Sequence, residues 1–142
     1  MSKRALLLIV MVLTALGEQP FSLQIASSIA GQGPHLKSSS FVFRSLGCPD
    51  PSKVEVTAKA EGRVRAQRRT VPLRLVPSPA PGAFAIFREW PTEGVWVISL
   101  AAKCGARTAG ALVAPGASGP DRERSKFLSR APSEADIEAA LK

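Results

Sequence analysis

Val54-Glu55-Val56-Thr57-Ala58-Lys59-Ala60-Glu61-Gly62-Arg63-Val64-Arg65-Ala66 is the stretch on which the fold turns. Val54, Val56, Ala58, Ala60, Val64 and Ala66 share one parity, while Glu55, Thr57, Lys59, Glu61, Arg63 and Arg65 share the other. A helix would scatter these residues around its circumference, whereas a strand turns one set inward and the other to water. Gly62 interrupts the run, so it reads either as one bulged strand or as two strands meeting near Glu61 and Gly62.

The same alternation continues on both sides. Upstream, Phe41 and Phe43 alternate with Val42 and Arg44 before a turn at Gly47-Cys48-Pro49-Asp50-Pro51. Downstream, Val71, Leu73 and Leu75 form a set closed by Pro77-Ser78-Pro79-Ala80-Pro81-Gly82, a loop because proline lacks the ladder donor. Ala83 to Phe87 resumes as a strand, and Trp90 to Gly94 makes a turn. Val95 to Ala102 places Trp96, Ile98 and Leu100 on the parity of Cys104, and Arg107 to Ala114 gives a weaker last strand. About six or seven short strands separated by turn signals predict an all-β protein, a small immunoglobulin-like sandwich over residues 35–114.

The N-terminus has the parts of an export signal over residues 1–17. Lys3 and Arg4 precede the apolar run Ala5–Leu16, and Ala15 and Gly17 set small residues before a cut at Glu18. Cleavage after Ala30 is a second option, with Ser28 and Ala30 as its small residues. The apolar run is about 12 residues, short of the roughly 20 that span a bilayer, so no stable membrane span remains after cleavage. Removal of Lys3 and Arg4 lowers the formal net charge of +8 by two, and the mature chain stays basic. Residues 18–34 read as a linker or a first extended segment.

An exported chain, secreted or periplasmic, meets an oxidising compartment, and its two cysteines, Cys48 and Cys104, pair in only one way. Closing a loop of about 57 residues stabilises by roughly 4 kcal/mol on the chain-entropy account. Free buried thiols are the alternative. The shared parity of Cys104 and Trp96 predicts a sheet-to-sheet bridge packed against an indole.

Residues 115–142 change character. Ala114 to Pro120 is small and Asp121 to Arg130 densely charged, which predicts a flexible tail. Ser133 with Asp136 three residues later forms a weakened capping box ahead of Ile137 and Leu141 at i and i+4, predicting a short helix from about Glu134 to Leu141. Such a helix is too short to stand alone, so it docks on the sandwich, docks on a partner or frays. Ile137 and Leu141 are its candidate docking residues.

Few residues point to chemistry. Arg63, Arg65, Arg68, Arg69 and Arg74 form a candidate patch for an anionic partner, an unidentified protein or an acidic polymer. The alternative is a solvated outer face whose charges discourage pairing between molecules. Nucleic acid is not indicated, since no aromatic residue is interleaved in the patch. Trp90 is a candidate surface aromatic for a sugar or partner, or packs over the end of the sandwich. His35 is the only histidine, and both methionines fall within the signal, so no metal site and no cofactor is implied. No catalytic residue can be named: one histidine is the sole imidazole base, Gly-x-Ser-x-Gly is absent, and turn solvation accounts for Glu89 and Glu93. The sequence therefore reads as a non-enzymatic binding or accessory module, with a small-ligand or metal-handling carrier as the alternative.

Trp90-Pro91-Thr92-Glu93-Gly94-Val95-Trp96-Val97-Ile98 resembles a turn-to-strand feature of exported immunoglobulin-like sandwiches. With Gly82-Ala83-Phe84-Ala85-Ile86 before it and Val54 to Ala58, it is similar to carboxypeptidase-regulatory-like (transthyretin-like) domains and to bacterial copper-resistance sandwiches. The resemblance implies fold alone. The copper-handling relatives bind metal through His and Met, and that function is carried to no residue of this chain.

Overall fold

A computed structural model describes residues 19–26, 40–117 and 119–142. The signal region, His35 and most of the 18–34 segment lie outside the described residues. Nine strands and one α-helix form among those described, with a single 3-10 turn at Pro51–Lys53: β1 (Ser22–Ala26), β2 (Phe41–Leu46), β3 (Glu55–Val64), β4 (Gln67–Pro72), β5 (Leu75–Pro77), β6 (Ala83–Ile86), β7 (Val95–Cys104), β8 (Arg107–Gly116), β9 (Gly119–Leu128) and α1 (Glu134–Ala140). They build two antiparallel sheets, β1-β2-β6-β5 and β4-β3-β7-β8-β9. The first eight strands follow the immunoglobulin order, with four strands in one sheet and a C′-type edge added to the other. β9 extends that second sheet beyond β8.

The alternation in β3 sets the core. Ala58, Ala60 and Val64 face Phe41, Phe43, Ile86, Trp96, Ile98 and Leu100 between the sheets. Gly62 breaks nothing: β3 pairs without a bulge through it, with Trp96 on β7 and Arg69 on β4. A side chain at Gly62 would collide with the Trp96 ring, so glycine makes room for the indole. The strand instead ends at Arg65 and Ala66, whose φ values of 50° and 64° form a two-residue turn closed by the Val64–Gln67 pair. Such turns favour Asn-Gly, and Arg-Ala carries alternation straight through the position where the chain reverses.

Two expectations are corrected, and one open choice is decided. Val71, Leu73 and Leu75 do not form one strand, because β4 ends at Pro72 and β5 opens at Leu75 in the other sheet. The segment at 18–34, read as a linker or a first extended segment, is extended in its described part: β1 pairs along β2 from Ser22–Leu46 to Ala26–Val42. The first part of the flexible tail is β9, paired to β8 with a register shift between Leu112 and Ala114. There Asp121 Oδ1 accepts the Glu123 and Arg124 amides, and Ser125 Oγ accepts the Ala114 amide, so side chains take over where the ladder breaks.

Candidate functional site

The cysteines form the predicted bridge, with an S–S distance of 2.08 Å and Cα atoms 5.9 Å apart. It ties the chain just past β2 to the last residue of β7, and so joins the two sheets. The indole is not its neighbour: Trp96 lies eight residues back along β7, about 26 Å at strand rise. Arg107 reinforces the bridge end, donating from Nη1 to the Gly47 carbonyl at 3.0 Å.

The arginines and the terminal helix, read from sequence as two separate features, are partners. α1 lies on the outer face of the five-stranded sheet, where Ile137 and Leu141 pack on Val97 and Leu112. The docking is therefore in cis. Arg63 Nη2 meets Glu138 Oε2 at 2.5 Å. Arg68 reaches Glu134 at 2.7 Å, Glu138 at 2.8 Å and Glu61 at 3.2 Å. Glu61, the one buried charged residue among those described, also accepts from Thr70 Oγ1 at 2.6 Å, so its carboxylate is doubly held.

Two more arginines of the cluster pair elsewhere. Arg65 pairs with Glu93 at 2.9 Å, and Arg74 lies 3.8 Å from Glu89, whose Oε2 also accepts the Arg74 amide. Among the described residues Arg69 has no ion pair; it stands opposite Gly62 on the core parity of edge strand β4, where an inward charge resists pairing between molecules. Of the candidate anionic-partner patch Arg63, Arg65, Arg68, Arg69 and Arg74, four arginines thus take part in internal ion pairs, and Arg65 and Arg74 stay largely exposed while doing so.

The helix is aimed by its cap. Ser133 Oγ accepts the Asp136 amide and Asp136 Oδ2 accepts the Ser133 amide, closing the capping box. Arg130 grips the same carboxylate with both terminal nitrogens. That guanidinium, followed by the Ser133 bonds, holds the Asp136 carboxyl well below its ordinary value. Gly110 permits the approach, because a side chain there would lie 2.8 Å from Pro132 Cδ and overlap the Arg130 carbonyl.

Trp90 is not a surface aromatic. It is 6 % exposed and belongs to the core cluster, with the Arg88 guanidinium 5.8 Å from its ring centre.

Like Arg69 on β4, Arg124 and Lys126 on β9 carry positive charge without an acidic partner among the described residues. Arg124 and Lys126 are exposed there beside Phe127, which is 52 % exposed. Arg122 is exposed too and donates to the Ile25 carbonyl at 3.2 Å. Sequence reading passed over this edge because β9 was taken for a tail; the alternating Arg122, Arg124 and Lys126 were the available signal. A cleft of about 380 Å³ opens beside it, lined among others by Arg88, Thr92, Val95 and Arg124. No group of three or more His, Cys, Asp or Glu able to hold a metal forms among the described residues.

The fold defines the class: a small, disulfide-bridged, immunoglobulin-like β-sandwich with a latched C-terminal helix. A scan against protein-family models finds no match, and neither does a search of curated proteins or of solved structures.

Proposed function

We propose that the chain is an exported, non-enzymatic binding module that presents its sandwich surface, with α1 fixed to it, to an acidic macromolecule. The observation that supports this reading is the separation of charge. Arg63, Arg65, Arg68 and Arg74 meet Glu61, Glu89, Glu93, Glu134 and Glu138 and leave Arg69 as the one unpaired arginine around the β3–β4 hairpin, while Arg124 and Lys126 on edge strand β9 have no acidic partner among the described residues. A basic edge with an exposed aromatic is a surface suited to salt-dependent capture. The disulfide fits an oxidising compartment, secreted or periplasmic, as does the leader-like N-terminus. Among the described residues no helix is long and apolar enough to cross a membrane.

The test is retention on an immobilised sulfated polysaccharide over a salt gradient. The double variant Arg124→Glu with Lys126→Glu should elute at markedly lower salt than the parent. The control Arg65→Glu with Arg74→Glu changes the net charge equally and should elute at higher salt than that variant, because those arginines lie beside acids. Equal losses in both variants, or no retention of the parent, would sink the proposal. A second reading, a small-ligand carrier, has its support in the cleft beside β9.

A further inference from the structure

We infer that the cleft between Arg88 and Arg124 is a small-anion site that takes one oxyanion group: carboxylate, sulfate or phosphate. The inference shares Arg124 with the basic edge and otherwise goes beyond that reading.

Charge is the first argument. The cleft of about 380 Å³ is lined by two guanidinium residues and by no carboxylate. Of the acids nearby in sequence, Glu93 accepts from Arg65 Nε at 2.9 Å and Glu89 accepts the Arg74 amide at 3.0 Å, while Glu123, exposed beside Arg124, does not line the cleft. Asp121 spends Oδ1 on the Glu123 and Arg124 amides. Arg63, Arg65, Arg68, Arg74 and Arg130 all meet acids in the fold. Among the described residues, Arg88 and Arg124 do not.

Preorganisation is the second. Arg88 is held by its own turn, donating from Nε to the Trp90 carbonyl at 3.3 Å and from Nη2 to the Pro91 carbonyl at 3.1 Å. Those acceptors are neutral, so they orient the guanidinium without cancelling its charge. An ordered planar fork loses less freedom on meeting an oxyanion than a free one does. The Trp96 indole is likewise fixed, donating to the Glu93 carbonyl at 2.8 Å. Thr92 adds a hydroxyl to the wall and Val95, 44 % exposed, an apolar lip. Such a cavity suits a compact charged group, and its size is at the low end of ligand pockets.

The chain holds two tryptophans, Trp90 and Trp96, and both line this cleft, so intrinsic fluorescence reports on it directly. The full chain is titrated with inorganic sulfate, inorganic phosphate and acetate at constant ionic strength set with chloride, and with a sulfated oligosaccharide. A saturable change with at least one anion is expected, weakened about tenfold in Arg124→Gln. Thr92→Val should weaken it less, without altering the unliganded spectrum. Tighter binding of the oligosaccharide assigns the group to a polymer, and equal binding assigns it to the free anion. No saturable change with any probe, or an affinity unmoved by Arg124→Gln, overturns the inference. Retention of the polymer by the β9 edge with a silent cleft would overturn it alone. A responsive cleft without polymer retention would instead overturn the functional reading.

Discussion

At the scale of single residues, one tight constraint is the pairing of a glycine with an indole. Trp96 is 6 % exposed and lies directly across from Gly62 in the β3–β7 register. A methyl group at position 62 falls inside the ring, and neither the indole, held by its bond to Glu93, nor the strand, paired on both sides, can yield. Gly62→Ala should therefore lower stability by about 2 to 3 kcal/mol despite the better strand propensity of alanine. Urea unfolding followed by tryptophan fluorescence checks this, and a neutral or stabilising result would show that the indole can move. The inward placement of Trp96 was legible from parity. Its fit over Gly62 was not, because parity assigns a face but register decides which residues meet across a sheet.

At the scale of elements, α1 was legible and β9 was not, for opposite physical reasons. A helix start is written locally, in Ser133, Asp136, Ile137 and Leu141. An edge strand whose ladder breaks between Leu112 and Ala114 has no single inner parity, and its dense charge imitates a tail. The docked helix in turn depends on one carboxylate. Asp136 bonds Arg130 and the Ser133 amide as an anion, so its folded pKa lies below the ordinary 3.8. A depressed carboxyl pKa means that its contribution is complete above 3.8 and is lost as falling pH approaches the folded value. The cap should hold at pH 5 and weaken only in stronger acid, about pH 3 and below. Asp136→Asn should loosen the helix at neutral pH and flatten that acid dependence. Amide exchange at Leu141, whose N–H bonds the Ile137 carbonyl, reads the effect. An unchanged acid profile in Asp136→Asn would show that the Asp136 carboxylate does not carry the dependence.

At the scale of the whole molecule, remote pairings overrule what sequence neighbours suggest. Five arginines between positions 63 and 74 look like a patch, yet Arg63 and Glu138 are 75 residues apart, and Arg68 and Glu134 are 66. The chain closes this circuit by crossing both sheets before α1 returns to the face of β3. The disulfide closes a second circuit, across 56 residues, and was legible because two cysteines allow one pairing. It links the sheets at the β2 and β7 ends, while Trp90 and Trp96 occupy the core near the start of β7, so each end of the sandwich has its own fastening. If the bridge acts by restricting the unfolded chain, its loss should cost roughly 4 kcal/mol. That is a large part of the 5–15 kcal/mol typical of a domain. Urea unfolding with and without reductant, alongside Cys48→Ser with Cys104→Ser, measures the loss. Agreement between the reduced parent and the double serine variant near that value would support the chain-entropy account. A loss under about 1 kcal/mol in both would mean that the β2 and β7 ends are already held together without sulfur, with the Arg107 bond to the Gly47 carbonyl as the first group to remove next.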